Sequence, residues 1–359
     1  MWSSRRFTMA SISGVLQATM TVVLILAGFI VLFLMYYKSS PSPKCYPRPA
    51  HPGQLKKPVL LLWFWPENKR FDFKDCKTLF NIDSCHLTDN RALYSTAREV
   101  LIFHKAIKDD LSNLPSSPRA KFQRWIWFNM DSPTNTRQIK GIEGLFNLTL
   151  SYRKDSDIQV RWKLGTEKAS GDFVLPKKER SVCWIVESSE LLNKSDDRFN
   201  YYRELEKHIK VDIFDSSSDE LVNGENYFQT ISSCKFYLSF EDSIHKDYIT
   251  EKFNGPLAVG TVPIVLGPPR MNYEDFAPGN AFIHVNDFPD AAALAEFIQK
   301  LDGDNEAYMR YFDWRQFYTP RRHLTDQHQF ALAICQACRH VALHRVYRVV
   351  KDVHKWFFE

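Results

Sequence analysis

Residues Cys234–Pro269 constrain the fold more than any other stretch of this chain. A strand-like run, Phe236–Phe240, leads into an acidic turn and then a helical segment carrying Tyr248, Glu251 and Lys252. A β-branched strand, Thr261–Leu266, follows and stops at Gly267-Pro268-Pro269. Strand–helix–strand with polar residues gathered where the strand ends is the unit of an open parallel sheet, and that edge is where nucleotide-type ligands sit. Earlier apolar runs at Val59–Trp65, Val100–His104 and Arg124–Asn129 form one set of strands. Cys183–Val186, Val211–Phe214, Phe236–Phe240, Val262–Leu266 and Ala281–His284 form a second. The alternation predicts an α/β fold with two parallel sheets, each covered on both faces. The polar, irregular residues 152–180 fall between the sets and hold the domain junction. A chain of 359 residues, 44% apolar and 14% aromatic, is long enough for two such domains. A net charge of +5 with no arginine-rich tract or Cys/His finger gives no support to a nucleic-acid partner.

Between Phe7 and Tyr37 no residue is charged, and Val22–Tyr37 is almost unbroken in apolar character. A run of that length spans a bilayer core of about 30 Å. A cleaved signal peptide is the rival reading, but the run is too long and Tyr36-Tyr37-Lys38 is a poor cleavage site. The expectation is a tail over 1–14, a transmembrane signal anchor over 15–37 and a stem over 38–58. Proline is frequent in Ser39–Gly53, as suits an extended stem. Arg5 and Arg6 precede the span while Lys38, Lys44 and Arg48 follow it, so charge does not set the orientation. The triplets Asn147-Leu148-Thr149 and Asn193-Lys194-Ser195 are glycosylation acceptors only if the C-terminal part is lumenal.

Of the seven cysteines, Cys76, Cys85, Cys183, Cys234, Cys335 and Cys338 lie beyond the stem and Cys45 within it. In an oxidising lumen six cysteines allow about fifteen pairings, and spacing does not choose among them. Cys335-Gln336-Ala337-Cys338 also admits a zinc or redox reading, for which Cys76 and Cys85 are spaced too widely to complete a zinc set in the usual way.

Chemistry on a nucleotide-type ligand needs a cationic site for its phosphates, a carboxylate to move a proton, and walls that orient the reacting group. Asp131 supplies a carboxylate in an acidic turn after the buried run Arg124–Asn129; an Asp before Ser-Pro is equally an ordinary turn former. Arg198 and Lys252 have the chemistry for phosphate oxygens, although most such residues are solvated charges. His245 sits in the turn before the helix, where a capping role serves as well as a catalytic one.

The stretches Leu62-Trp63-Phe64-Trp65-Pro66, Cys85-His86-Leu87-Thr88, Phe146–Arg153, Asp155–Ile158 and the Cys234–Pro269 core occur in an order that resembles the α1,3-fucosyltransferases, which make Lewis-type glycans. The resemblance covers nearly all of residues 59–359. It implies a GT-B-like fold of two Rossmann-like domains facing a cleft, an acceptor-side domain over 59–160 and a GDP-fucose-binding domain over 161–359. It further implies a Golgi enzyme that moves fucose from GDP-fucose to lactosamine-type glycans with inversion and requires no metal or other cofactor. Asp131 stands where the family has a presumed glutamate base. Arg198, Tyr237, Glu241, Asp242, Tyr248, Glu251 and Lys252 match donor-site positions. The implied disulfides are Cys76–Cys335, Cys85–Cys338 and Cys183–Cys234, leaving Cys45 free or bridging two chains of a homodimer. Departures fall in the same places: Asp131 is one methylene shorter than glutamate; Arg161-Trp162-Lys163 replaces Pro-Tyr-Gly; Glu187-Ser188-Ser189 follows Cys183-Trp184; Asp242 replaces asparagine; and Gly255-Pro256 enters a helix, where proline removes an amide donor. They define an alternative: a catalytically impaired relative that binds glycans or nucleotides in the secretory pathway.

Overall fold

A computed structural model describes residues 10–39, 57–161, 164, 173–186, 197–216, 224–324 and 326–359. The proposed tail up to residue 9, most of the stem with Cys45, Trp162-Lys163, Glu187–Ser189 and Asn193 lie outside the described residues. The chain divides into two compact units, 1–56 and 57–359. In the first, α1 (Ala10–Ser39) covers the predicted span, and its described side chains, residues 20–35, are exposed. Among the described residues no helix is long and apolar enough to cross a membrane.

In the second unit the strands are β1 (Val59–Leu62), β2 (His86–Thr88), β3 (Glu99–Phe103), β4 (Arg124–Phe128), β5 (Leu148–Ser151), β6 (Ile158–Gln159), β7 (Arg180–Val186), β8 (Val211–Asp215), β9 (Cys234–Phe240), β10 (Val262–Leu266) and β11 (Ile283–His284). The helices are α2 (Asp75–Phe80), α3 (Asp197–Leu205), α4 (Gly224–Ser232), α5 (Glu251–Val259), α6 (Arg270–Glu274), α7 (Ala291–Gly303), α8 (Asn305–Met309), α9 (Ala331–Leu343) and α10 (Val353–Phe358). Among the described residues the strands pair into two sheets, β2-β1-β3-β4-β5-β6 and β11-β10-β9-β7-β8. Every pairing in both is parallel.

Continuous apolar strands follow from cover on both faces. In the first sheet Leu60, Leu62, Leu101, Phe103, Ile126 and Phe128 pack on one face against Ile334, Cys335 and Cys338 of α9. The alternate residues Leu61, Val100, Ile102, Trp125 and Trp127 pack on the other against Ile139, Phe146 and Phe357. The second sheet does the same, with Trp184, Phe236, Leu238 and Ile264 toward Phe199 and α7. Cys183 and Tyr237 face Phe228 of α4 on its other side.

Cys76 bonds to Cys335, Cys85 to Cys338 and Cys183 to Cys234. Positions 335 and 338 share one face of α9, so one helix turn takes both partners. The zinc reading of the Cys335–Cys338 pair therefore fails, since a disulfide sulfur is not a thiolate ligand. The sequence-based strand at Val59–Trp65 is shorter than expected. It ends at Leu62, and Trp63–Trp65 lie past it, at the edge where the functional loops gather.

Candidate active site

Parallel strands deliver their following loops to one edge. β4 ends at Phe128, and the turn after it is held by its own side chains. Asn129 Nδ2–H donates to Thr136 Oγ1 at 2.8 Å, and Asn129 Oδ1 accepts from the Asp131 amide at 3.3 Å. The Thr136 hydroxyl donates to the Ser132 carbonyl at 2.7 Å. This self-bonded turn presents the Asp131 side chain, 32% exposed, with Lys105 Nζ 4.0 Å from its Oδ2. Lys105 follows neighbouring β3 and also donates to Glu67 Oε1 at 3.0 Å. Lys69 Nζ lies 3.3 Å from the other Glu67 oxygen.

Burial raises the Asp131 carboxyl above the ordinary carboxylate range; Lys105 pulls against this, and the charges of Glu67 and Asp242 add to it. Burial acts on Glu67 in the same sense, but hydrogen bonds and charge from Lys105 and Lys69 hold it below its ordinary value. Lys105 is raised, first by its bond to Glu67. Asp131 thus sits at one end of an alternating row of charges.

The opposing turn follows β9. Glu241, 1% exposed, accepts from the amide and the hydroxyl of Thr250, both at 2.8 Å. Burial pushes its carboxyl up to about 7, against the pull of Lys252 and the Thr250 hydrogen bonds. The Thr250 hydroxyl in turn accepts from the Lys252 amide at 3.3 Å, capping α5 at the residue before Glu251. Both Glu251 and Lys252 are half-buried in the first turn.

The expected disturbance at Gly255-Pro256 does not occur: α5 runs through both. Pro256 removes the amide that would have bonded to the Lys252 carbonyl, and Ser239 Oγ–H on β9 donates to that carbonyl instead, at 2.7 Å. Gly255 leaves room for His323 and Tyr227, whose atoms would stand 3.3 and 3.6 Å from an added Cβ.

The two turns are joined by hydrogen bonds. Ser243 Oγ–H donates to Ser132 Oγ at 2.6 Å and Asn135 Nδ2–H to Asp242 Oδ2 at 3.0 Å. Thr134 Oγ1 and His245 Nε2 are 2.7 Å apart. Asp242 Oδ2 also accepts from the Tyr248 hydroxyl, at 3.4 Å. Tyr248 itself is buried edge-on against Tyr152, ring centres 5.1 Å apart. Burial lowers His245, against the pull of Asp242. Asp131, Glu241, Asp242, Tyr248 and Lys252 therefore belong to one connected pair of turns, with Glu251 beside Lys252 in the first turn of α5. Arg198 lies in the first turn of α3, the helix that follows β7, 8% exposed and with its guanidinium 5.2 Å from the Phe199 ring centre. Phe199 packs on Trp184 of β7, ring centres 5.1 Å apart.

Tyr237, expected along the donor, is 2% exposed and packs with Cys183, Cys234 and Phe228 on the face of β9 toward α4. One sequence-based expectation needs correction. Asn147, expected to carry a glycan, is fully buried. Its Oδ1 accepts from the Trp125 amide at 2.9 Å and its Nδ2 donates to the Arg348 carbonyl at 2.6 Å. With no exposed surface at this side chain, the folded unit leaves no room for a sugar on Nδ2. Lys105, Glu67 and Ser239 escaped the sequence reading. The one available signal was position: Lys105 and Asp131 each follow a strand of the same sheet by two or three residues. Among the described residues no cluster of His, Cys, Asp and Glu could hold a metal ion.

A family model described as glycosyltransferase family 10 (fucosyltransferase) C-term matches residues 175–356, and another, fucosyltransferase, N-terminal, matches residues 55–163. The chain is 42% identical over 362 residues to 4-galactosyl-N-acetylglucosaminide 3-alpha-L-fucosyltransferase 9 of Rattus norvegicus, covering 96% of this chain and 98% of the relative. The same figures hold for the Homo sapiens protein of that name. A crystal structure of an alpha1,3-fucosyltransferase with GDP-fucose shares the fold, with a TM-score of 0.51 over 82% of this chain and 92% of that one at 17% identity. The chain belongs to glycosyltransferase family 10 and is a glycosyltransferase of the α1,3-fucosyltransferase family.

Proposed function

We propose that this enzyme transfers L-fucose from GDP-β-L-fucose to the 3-hydroxyl of N-acetylglucosamine in N-acetyllactosamine-type glycans, with inversion. The relatives' names carry that acceptor and linkage, and the solved fold relative was crystallised with GDP-fucose. The observation that bears most on it is Asp131: a partly exposed carboxylate made more basic by burial and steadied by Lys105. Asp131 takes the proton of the acceptor 3-hydroxyl as that oxygen bonds to the anomeric carbon of fucose. The bond from that carbon to the β-phosphate breaks on the opposite face, and the electron pair leaves on GDP. Lys252 and Arg198 neutralise the diphosphate, so no metal is needed for the leaving group. Glu251 accepts from donor hydroxyls, while Glu241 and Thr250 hold the turn that presents Lys252. The continuity of α5 through Gly255-Pro256 weighs against the catalytically impaired alternative.

The long uncharged run at residues 7–37 supports a single-span type II anchor with the catalytic unit in the Golgi lumen, and the disulfides suit that oxidising compartment. The test is incubation of detergent-solubilised full-length protein with GDP-fucose and N-acetyllactosamine, followed by linkage analysis. An α1,3-fucosylated product is expected. Asp131→Asn should lower the rate by about 10²–10⁴-fold while GDP affinity, by calorimetry, stays unchanged. If Asp131→Asn keeps most of its rate, the base is another group.

A further inference from the structure

We propose that the edge of the catalytic unit opposite Asp131 seats on a lipid bilayer, with headgroup phosphates in a cationic hollow and neighbouring apolar side chains in the interfacial layer. The hollow, about 470 Å³, is lined by Arg98, Lys121, Phe122, Arg124, Arg345 and Tyr347. At its floor Arg124 Nη2 lies 2.6 Å from Glu99 Oε1, and Arg98 Nε shares the same oxygen at 3.4 Å. Arg124 also donates to the carbonyls of His344 and Val346, at 2.7 and 2.8 Å, pinning the strap after α9 beside the hollow. Glu99 is the one acidic partner these bonds supply to four cations. Lys121 and Arg345 are exposed at the rim.

Apolar side chains surround the cations. Phe122, Leu343, Val346 and Tyr347 are each more than half exposed. Cations alone would suit any anion, a sulfated or carboxylated glycan included. The rings of Phe122 and Tyr347 suit a sugar face as well as a lipid, but exposed Leu343 and Val346 beside them favour the bilayer, since apolar residues interleaved with lysine and arginine are the composition of a surface that lies in the headgroup layer.

The position of the hollow strengthens the assignment. Arg98 and Arg124 stand at the starts of β3 and β4, whereas Lys105 and Asp131 follow the ends of the same strands. The chain enters the folded unit on the starting edge: the Arg98 amide donates to the Val59 carbonyl at 3.0 Å, where β1 begins. Residues 40–56 separate α1 from this unit, at most about 60 Å of extended chain. If α1 is the membrane anchor, the tether attaches at the face proposed to meet the bilayer. Its effective concentration lets a weak surface suffice. Only this tether rests on the anchor reading; the surface does not.

The test uses full-length protein in a Cys45→Ser background, reconstituted in vesicles of phosphatidylcholine with or without phosphatidylserine and carrying nitroxide-labelled lipid. A fluorophore is placed in turn at Val346→Cys, at Met271→Cys, an exposed residue of α6 away from the hollow, and at Leu26→Cys in α1. Quenching at 346 and 26 but not at 271 is expected. Lys121→Gln and Arg345→Gln should each weaken seating on phosphatidylserine vesicles by about fivefold. Absence of quenching at 346 overturns the proposal, whatever residue 26 reports; quenching at 346 without 26 keeps the surface and removes the anchor. Protection of the 346 probe by a sulfated oligosaccharide, without lipid quenching, also overturns it, in favour of a glycan site.

Discussion

At the residue scale, Asp131 is governed by its neighbours. Lys105 favours its ionised form, so Lys105→Met should move the acidic limb of kcat/KM to higher pH. Glu67 disfavours that form and also draws on Lys105, so Glu67→Gln should move the limb to lower pH. Shifts of the same sign in both variants would show that the limb does not report Asp131. Glu241 gives a second pH effect, on stability. Its carboxyl, ordinarily near 4.5, titrates at about 7 in the folded protein, so the native state keeps a proton that the unfolded chain has released across that window. Its contribution is therefore complete below about pH 4.5 and is lost as pH rises to about 7. Glu241→Gln should remove that decline, worth up to about 3 kcal/mol, in urea unfolding followed across the range. None of this charge arithmetic was legible in the sequence. Asp131 stood out through its strand-end turn, but Lys105 and Glu67 carry no motif and meet it only once three strand-end loops converge. Asn147 misled for a related reason: it is fully buried, and part of what covers it, the segment whose Arg348 carbonyl accepts from its amide, lies far along the chain.

At the element scale, α5 depends on a hydroxyl from the strand before it. Ser239→Ala leaves the Lys252 carbonyl without its donor and should cost about 1–3 kcal/mol, as a buried polar group left unmade does. Pro256→Ala restores the helical amide, so Ser239→Ala should cost clearly less in that background. Equal costs in a double-mutant cycle by denaturant unfolding would refute the exchange of donors. The sequence revealed the missing amide of Pro256 but not the hydroxyl that replaces it, because strand alternation does not say which side chain reaches an adjacent helix. Strand recognition failed in a similar way at the margins. β3, β4, β9 and β10 are apolar enough to announce themselves, whereas β2, β5 and β6 are two to four residues long and mix polar with apolar residues.

At the scale of the whole molecule, α9 is bound twice to the beginning of the catalytic unit, through Cys76–Cys335 and Cys85–Cys338. With either bond in place the other closes only a short loop, so removing one pair should cost about 3 kcal/mol. Losing the second as well opens a loop of 259 or 253 residues, which adds about 5 kcal/mol on the same loop-entropy reasoning. Paired alanine substitutions followed by thermal unfolding should therefore be far from additive. The core makes the same connection without sulfur: Phe357 packs on Trp127 with ring centres 4.9 Å apart, and the Val350 amide donates to the Phe146 carbonyl at 2.8 Å. During synthesis this arrangement becomes a delay. The strands of the first sheet are all made by residue 159, but α9, which covers one face, and α10, which completes the other beside Ile139 and Phe146, emerge nearly two hundred residues later. At ribosomal speeds that is about 10–40 s, in which a half-covered parallel sheet must be sheltered before it can fold.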